Sequence, residues 1–436
     1  MLRAVRRNTE LGLIVLGTLV TVGAYLLASL AEDATIPANI GPFLAVVLGL
    51  QLAAHLAIRR LAPDADGTLV PIAGLLNGLG YVFIVRIDEA RADPKGLAAL
   101  QSAWIAVGIT AFIATLLIVR RMRDLERYRW TMGVGGLGLL LLPLVPGIGR
   151  EYFGARIWVS IGPINFQPGE FAKILLALFF ASYLVEKREL LAVSSRRIGP
   201  IALPDLKHLG PVLLAWAISV LVMVSQKDLG SSLLFFTLFV ALLWVATERA
   251  TYLMVGAVLF AGGALFAYTQ FAHVQDRVDI WLDPWPVAKD EGFQIVESQF
   301  AFSAGGITGT GINLGSPGRI PLAETDFIFA AIGEELGLIG ASGVLVAYLL
   351  MIGAGLRIAL QTEVPFERLL ATGLTVLVGV QSFIIIAGVT RVLPLTGVTL
   401  PFVSYGGSSL VANYVLLALL LRVSDDAGDR VGERSA

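Results

Sequence analysis

The sequence predicts an all-α polytopic membrane protein with about twelve transmembrane helices, and three observations carry that expectation. Hydrophobic residues make up 56% of the 436 and charged residues only 15%, against roughly 25% charged in soluble domains. The apolar residues gather into runs near the ~20 needed to cross a bilayer, with polar connections between them. With the N-terminus placed in the cytoplasm, 21 of the 32 Lys and Arg fall on the cytoplasmic side, as the positive-inside rule expects. Both termini are therefore expected to be cytoplasmic.

Arg3, Arg6 and Arg7 precede an apolar run over about 11–31 that ends in Ser29-Leu30-Ala31. The run is longer than the ~7–15 residues of a signal-peptide core, so it reads as an uncleaved anchor. Further spans are expected at about 38–58, 68–85, 97–119, 131–146, 168–185, 209–225, 229–246, 251–271, 326–356, 366–390 and 400–421. Residues 1–60 thus hold two N-terminal helices and 61–423 the polytopic core. The tail 424–436 is polar and charged, and is expected to be disordered. The same alternation sends 147–167, the turn Gln226-Lys227-Asp228, 272–325 and 391–399 to the outside. Connections beyond ~15 residues are usually functional, which singles out the extracytoplasmic loop 272–325.

Several function classes drop out early. A net charge of −1 provides no basic field for nucleic acid, and no Lys/Arg block alternates with aromatics. Cysteine is absent, so disulfides and thiolate metal sites are excluded. His55, His208 and His273 lack ligand spacing and read as ordinary interfacial or loop residues. Gly309-Thr310-Gly311 through Gly315 follows no strand, so it reads as a flexible glycine loop and not as a nucleotide fingerprint. Neither a phosphate-binding P-loop nor a zinc-hydrolase motif occurs, and no internal repeat of the transporter kind is visible.

The chain looks organised around Pro321-Leu322-Ala323-Glu324-Thr325-Asp326-Phe327-Ile328-Phe329-Ala330, which runs on through Gly333-Glu334-Glu335-Leu336-Gly337. Asp326 is expected in the first turn of a membrane helix, with Glu334 and Glu335 about 12 Å deeper at 1.5 Å per residue. Ionisable groups there are costly and therefore functional candidates; the structural alternative is an N-cap at Thr325 or Asp326 plus buried ion pairs. Pro168 starts another helix, which makes Glu170 and Lys173 i,i+3 neighbours. They either neutralise one another or line a substrate cavity, and Lys173 could alternatively reach Glu334 or Glu335. Asp228 is placed to cap the next helix. Arg156 and Arg391 could fork onto phosphates or snorkel to headgroups. Trp158, Trp281 and Trp285 suit the interfacial belt. Ser404-Tyr405-Gly406-Gly407-Ser408-Ser409 suits close helix packing or an anion on exposed N–H groups.

Taken together, these stretches resemble the SEDS family (shape, elongation, division and sporulation) of the RodA/FtsW type. The matching segments are Gly154-Ala155-Arg156-Ile157-Trp158, Gln167-Pro168-Gly169-Glu170-Phe171-Ala172-Lys173, Gln226-Lys227-Asp228-Leu229-Gly230 and Trp281-Leu282-Asp283-Pro284-Trp285. Gly305-Gly306, Thr325-Asp326-Phe327-Ile328-Phe329, Glu334-Glu335-Leu336-Gly337 and Leu400-Pro401-Phe402-Val403-Ser404-Tyr405-Gly406-Gly407-Ser408-Ser409 follow in family order. The resemblance implies a peptidoglycan glycosyltransferase that polymerises lipid II, the polyprenyl pyrophosphate-linked disaccharide-pentapeptide, on the outer face of the cytoplasmic membrane. It also implies a class B penicillin-binding transpeptidase as partner. Asp326 matches the family's essential acid, and Glu170 with Lys173 its charged cavity pair. The chain departs in carrying two extra N-terminal spans and in having Lys227 where the family commonly has proline. Leu393-Pro394-Leu395-Thr396-Gly397-Val398 leans toward the elongation type.

The implied mechanism makes Asp326 a general base on an acceptor sugar hydroxyl, with inversion and no covalent intermediate. Charge on the departing pyrophosphate would be offset by Arg156, Arg391, Lys173 or a divalent cation, magnesium or manganese, and the sequence does not choose among them. Gln167, Asp228, Gln299, Glu334, Glu335, Ser404 and Ser408 complete the expected substrate-contacting set. The competing reading is a lipid II flippase with Glu170, Lys173 and Glu334 along a polar pathway; a third is a scaffold for the transpeptidase.

Overall fold

The structure is a computed structural model. It describes residues 2–33, 40–91, 93–152, 155–162, 164–189, 196–198, 201–203, 213–214, 216–218, 220–221 and 224–435. Among them, nine helices are long and apolar enough to cross a membrane. They correspond to nine of the expected spans. The span expected at 131–146 is a shorter apolar helix, Arg129–Leu144. That expected at 38–58 is a helix over Ile40–Leu61, and that expected at 209–225 lies partly outside the described residues. The fold is mostly helical, as expected, with short antiparallel strands besides.

The chain divides into two compact units. The first comprises Met1–Arg120, Asp279–Ala354 and Gln381–Ala436. In it, α1 (Leu2–Asp33) packs on α3 (Leu69–Glu89), α2 (Ile40–Leu61) packs on α4 (Leu97–Ile118), and α4 packs on the last helix, α14 (Gly407–Ser435). The N-terminal pair is joined by buried polar groups as well as by apolar contact. Glu10 bonds His55 Nδ1 at 2.9 Å and also pairs with Arg7, which reaches the Ala65 carbonyl. His55 is therefore buried between helices and is not the interfacial residue the sequence suggested. Nor is the tail without structure, because α14 continues to Ser435. Asp425 explains the continuation: it accepts the Asp64 N–H at 2.8 Å and pairs with Arg422 at 2.9 Å, which fastens the helix beyond its apolar part.

The second unit comprises Arg121–Val278 and Gly355–Val380. Helix α5 (Met122–Glu126) leads into α6 (Arg129–Leu141), which lies along α7 (Pro168–Glu186) with Trp130 against Phe179 and Tyr183. Helix α7 packs on α8 (Leu229–Thr247), and α8 on α9 (Thr251–Gln270). The segment 147–167, expected as a loop, is a three-stranded antiparallel meander: β1 (Gly149–Tyr152), β2 (Ala155–Ile161) and β3 (Ile164–Phe166). Arg156-Ile157-Trp158-Val159-Ser160-Ile161 alternates and is rich in β-branched and aromatic side chains, which suits a strand.

The long connection 272–325 is also folded, around α10 (Ala272–Leu282) and α11 (Phe293–Gly305). Its 306–311 part meets a break in α12 (Ile328–Gln361), where Gly337 is non-helical at φ 64° and ψ −166°; α13 (Pro365–Val389) follows α12. A break strands backbone groups that must find partners. The 306–311 loop supplies them. Thr310 and Gly311 donate to the Glu334 and Glu335 carbonyls at 3.0 and 3.1 Å, and Leu338 and Ile339 donate to the Gly306 and Ile307 carbonyls at 3.0 and 3.2 Å. The glycines here are packing glycines and not a slack loop. At Gly309, φ is +84° and an added Cβ would lie 2.2 Å from the Glu335 carbonyl oxygen. Gly309→Ala is accordingly expected to destabilise the protein by at least about 2 kcal/mol, from left-handed strain plus overpacking. Thermal unfolding of the detergent-solubilised protein would show it, and an unchanged midpoint would contradict the packing argument.

Candidate active site

The candidate acid, Asp326, does not lie in the first turn of α12. The helix begins at Ile328, two residues later. Leu322 adopts a left-handed conformation, φ 58°, and its carbonyl accepts both the Thr325 N–H at 3.1 Å and the Asp326 N–H at 3.2 Å. That tight turn uses the residues that would otherwise start the helix. Asp326 is half-buried at its end, ahead of the apolar segment.

The turn is held from both sides within the first unit. Ser404 Oγ donates to the Thr325 carbonyl at 2.5 Å, and the Tyr405 N–H donates to the Glu324 carbonyl at 2.8 Å. The carboxylate of Glu324, a residue 3% exposed, meets Arg91 at 2.6 Å. Arg91 also lies 3.5 Å from Asp88, whose two oxygens accept the Lys95 and Leu97 N–H groups. Gly397, at φ +71°, faces the acid: an added Cβ would find Asp326 Oδ2 as its nearest atom, at 3.8 Å. Ser408 is buried in the first turn of α14, and Gln299 is half-buried on α11.

Glu334 and Glu335 are occupied by the folded loop. Glu334 accepts the Ser316 N–H at 2.9 Å, Glu335 accepts the Asn313 N–H at 3.0 Å, and Arg86 approaches Glu335 at 3.4 Å. Arg391 is similarly engaged, since its Nε and Nη2 donate to the Trp281 and Leu282 carbonyls at 2.7 and 2.5 Å. These are the last carbonyls of α10, which a cation at a helix C-terminus satisfies. Trp281 returns a bond from its indole N–H to the Arg391 carbonyl at 3.2 Å.

The second unit contains the other candidates. Lys173 Nζ lies 2.8 Å from Glu170 Oε2, both side chains are 7% exposed, and the i,i+3 spacing is realised on α7. Asp228 caps α8, accepting the Ser231 N–H at 3.0 Å. Part of its surface is open, yet the surrounding protein pushes its carboxyl upward by desolvation; the Ser231 hydrogen bonds pull it back, Glu170 adds to the rise and Lys173 opposes it. Gln167 is the residue before α7, and the Arg156 N–H bonds the Gln226 carbonyl at 3.3 Å. Gln226 in turn donates from its side chain to the Leu140 carbonyl at 2.8 Å. Among the described residues no group of three or more His, Cys, Asp or Glu is placed to hold a metal.

Sequence reasoning missed Arg86, Arg91 and the clamping use of Ser404. The first two stand at the end of an apolar run and look like snorkelling charges; the only available signal was that each could reach a glutamate of the 324–335 stretch.

Fold and site define a multi-pass integral membrane protein whose half-buried acid is held in a folded connection between helices. The sequence model of the family FTSW_RODA_SPOVE, described as a cell cycle protein, matches residues 67–428, and the chain belongs to that family. The peptidoglycan glycosyltransferase RodA of Mycobacterium tuberculosis is 44% identical over 427 residues, covering 97% of this chain and 91% of that protein. A probable peptidoglycan glycosyltransferase FtsW of Geobacter metallireducens is 36% identical over 82% of this chain and 94% of its own length. Among solved structures, a chain from a peptidoglycan synthase complex aligns with a TM-score of 0.67 at 29% identity, covering 83% of this chain and 98% of that one. The rod shape determining protein RodA of Thermus thermophilus aligns at 0.59 and 28% identity, covering 83% of this chain and 97% of its own.

Proposed function

We propose that the chain is an inverting peptidoglycan glycosyltransferase of the RodA type that polymerises lipid II at the outer face of the cytoplasmic membrane, with Asp326 as general base. The observation that carries the role of Asp326 is its half-buried position on a turn whose backbone is pinned by Leu322, Ser404 and Tyr405. With the N-terminus cytoplasmic, the charge distribution puts this turn on the outer side. Asp326 takes the proton of the acceptor hydroxyl as that oxygen bonds the donor's anomeric carbon, and the anomeric carbon–oxygen bond to the polyprenyl pyrophosphate breaks. A positioned base of this kind contributes ~10²- to 10⁴-fold. Among the cations expected from the sequence, Arg391 lies in the same unit as Asp326 and contributes little to the leaving pyrophosphate, because two of its nitrogens are bonded to carbonyls. A class B penicillin-binding transpeptidase is the expected partner.

The test is incubation of the purified chain with lipid II in detergent, with and without that transpeptidase. Glycan strands are expected in at least the paired reaction. A flippase or a scaffold would leave lipid II unpolymerised in both, and that result would overturn the reading.

A further inference from the structure

We propose that Ser404 is a positioning residue, with no contact to substrate, and that it sets the direction of the Asp326 carboxylate by fixing the Thr325–Asp326 peptide plane. This rests on the reading of Asp326 as base.

The two polar ends of that one peptide unit are held from opposite directions. Its N–H, belonging to Asp326, is bonded to the Leu322 carbonyl at 3.2 Å, and its C=O, belonging to Thr325, accepts from Ser404 Oγ at 2.5 Å. A plane fixed at both ends holds the Asp326 Cα in place, and on its other side Phe327 is fully buried, which together confine the Cα–Cβ direction of Asp326. The hydroxyl has no freedom to do otherwise. It already accepts the Leu400 N–H at 2.9 Å, and its single proton goes to Thr325. Ser404 is also 4% exposed, which leaves no face for a sugar or a phosphate.

The preceding peptide is held by the same turn, because the Tyr405 N–H bonds the Glu324 carbonyl at 2.8 Å. Glu324 is fixed from behind by Arg91 at 2.6 Å. The 404–405 turn is itself anchored: Tyr348 donates to the Pro401 carbonyl at 2.5 Å, and Asn77 donates to the Phe402 carbonyl at 3.0 Å. The mould for the acid is therefore built from α3, α12 and the turn that precedes α14. Since a misplacement of about 1 Å can cost ~10²-fold in rate, a lost peptide anchor acts on turnover and not on binding.

The experiment compares Ser404→Ala, Ser404→Thr and Glu324→Gln in lipid II polymerisation, reading kcat and KM separately with an unfolding midpoint for each. Ser404→Ala is expected to lower kcat about ten- to hundredfold with KM within about twofold. Ser404→Thr, which keeps the hydroxyl, is expected to stay within about threefold of the parent. Glu324→Gln weakens the anchor from behind and is expected to lower kcat about threefold at unchanged KM, which keeps the test decisive if Ser404→Ala does not fold. A raised KM at unchanged kcat would return Ser404 to the substrate. A Thr variant as slow as the Ala variant would remove the hydroxyl from the argument, and either result overturns the proposal. Asp326→Asn polymerising at the parent rate would instead overturn the base assignment, whatever Ser404 does.

Discussion

Asp326→Asn is expected to lower lipid II polymerisation by about 10²- to 10⁴-fold while the protein remains folded. The substitution is close to isosteric, and it keeps the backbone hydrogen bonds of Leu322, Glu324, Thr325 and Asp326 that shape the turn. What disappears is the capacity to accept a proton from the acceptor hydroxyl. The loss should therefore fall on turnover, with membrane abundance and unfolding midpoint close to the parent. Asp326→Glu keeps the proton acceptor but carries it past a position that the peptide anchors define, so it should recover only part of the rate. The check is the initial rate of strand formation from lipid II, normalised to folded protein. An Asn variant at the parent rate would leave the enzyme without its base.

How far the sequence reveals this arrangement depends on whether a feature is local. Apolar runs show the spans because the bilayer imposes a length on each one separately. The i,i+3 spacing of Glu170 and Lys173 and the capping position of Asp228 are set by one helix turn, and both are found in the structure. The left-handed Leu322 that delays α12, and the Gly337 break filled by the 306–311 loop, depend on partners far along the chain. The same holds for Ser404, whose partner Thr325 is 79 residues away. A serine in a small-residue motif reads as packing until its acceptor is known. In the sequence the strands between 149 and 166 read only as an outside loop, because β1 and β3, of 4 and 3 residues, are too short to show a period of their own.

Arg422→Met is expected to cost about 3–5 kcal/mol, the second large effect, because it breaks a buried pair and strips partners from two helix ends. Arg422 is 5% exposed. Its Nε donates to the Val119 carbonyl at 2.8 Å and Nη2 donates to Leu116 at 2.7 Å, both at the end of α4, while Nη1 reaches Leu61 at the end of α2 at 2.7 Å. Helix C-termini leave their last carbonyls without intrahelical partners, and one planar fork here serves two of them. Nη1 also pairs with Asp425 at 2.9 Å. Removing the arginine leaves that aspartate charged, buried and unmatched, still holding the Asp64 N–H on its other oxygen. The double variant Arg422→Met/Asp425→Asn removes the uncompensated charge but keeps an acceptor for Asp64, so it should recover roughly half of the loss. Unfolding in detergent measures both. A double variant as unstable as the single would assign the effect to the bare carbonyls, and a single variant melting with the parent would show that α2 and α4 do not rely on this clasp.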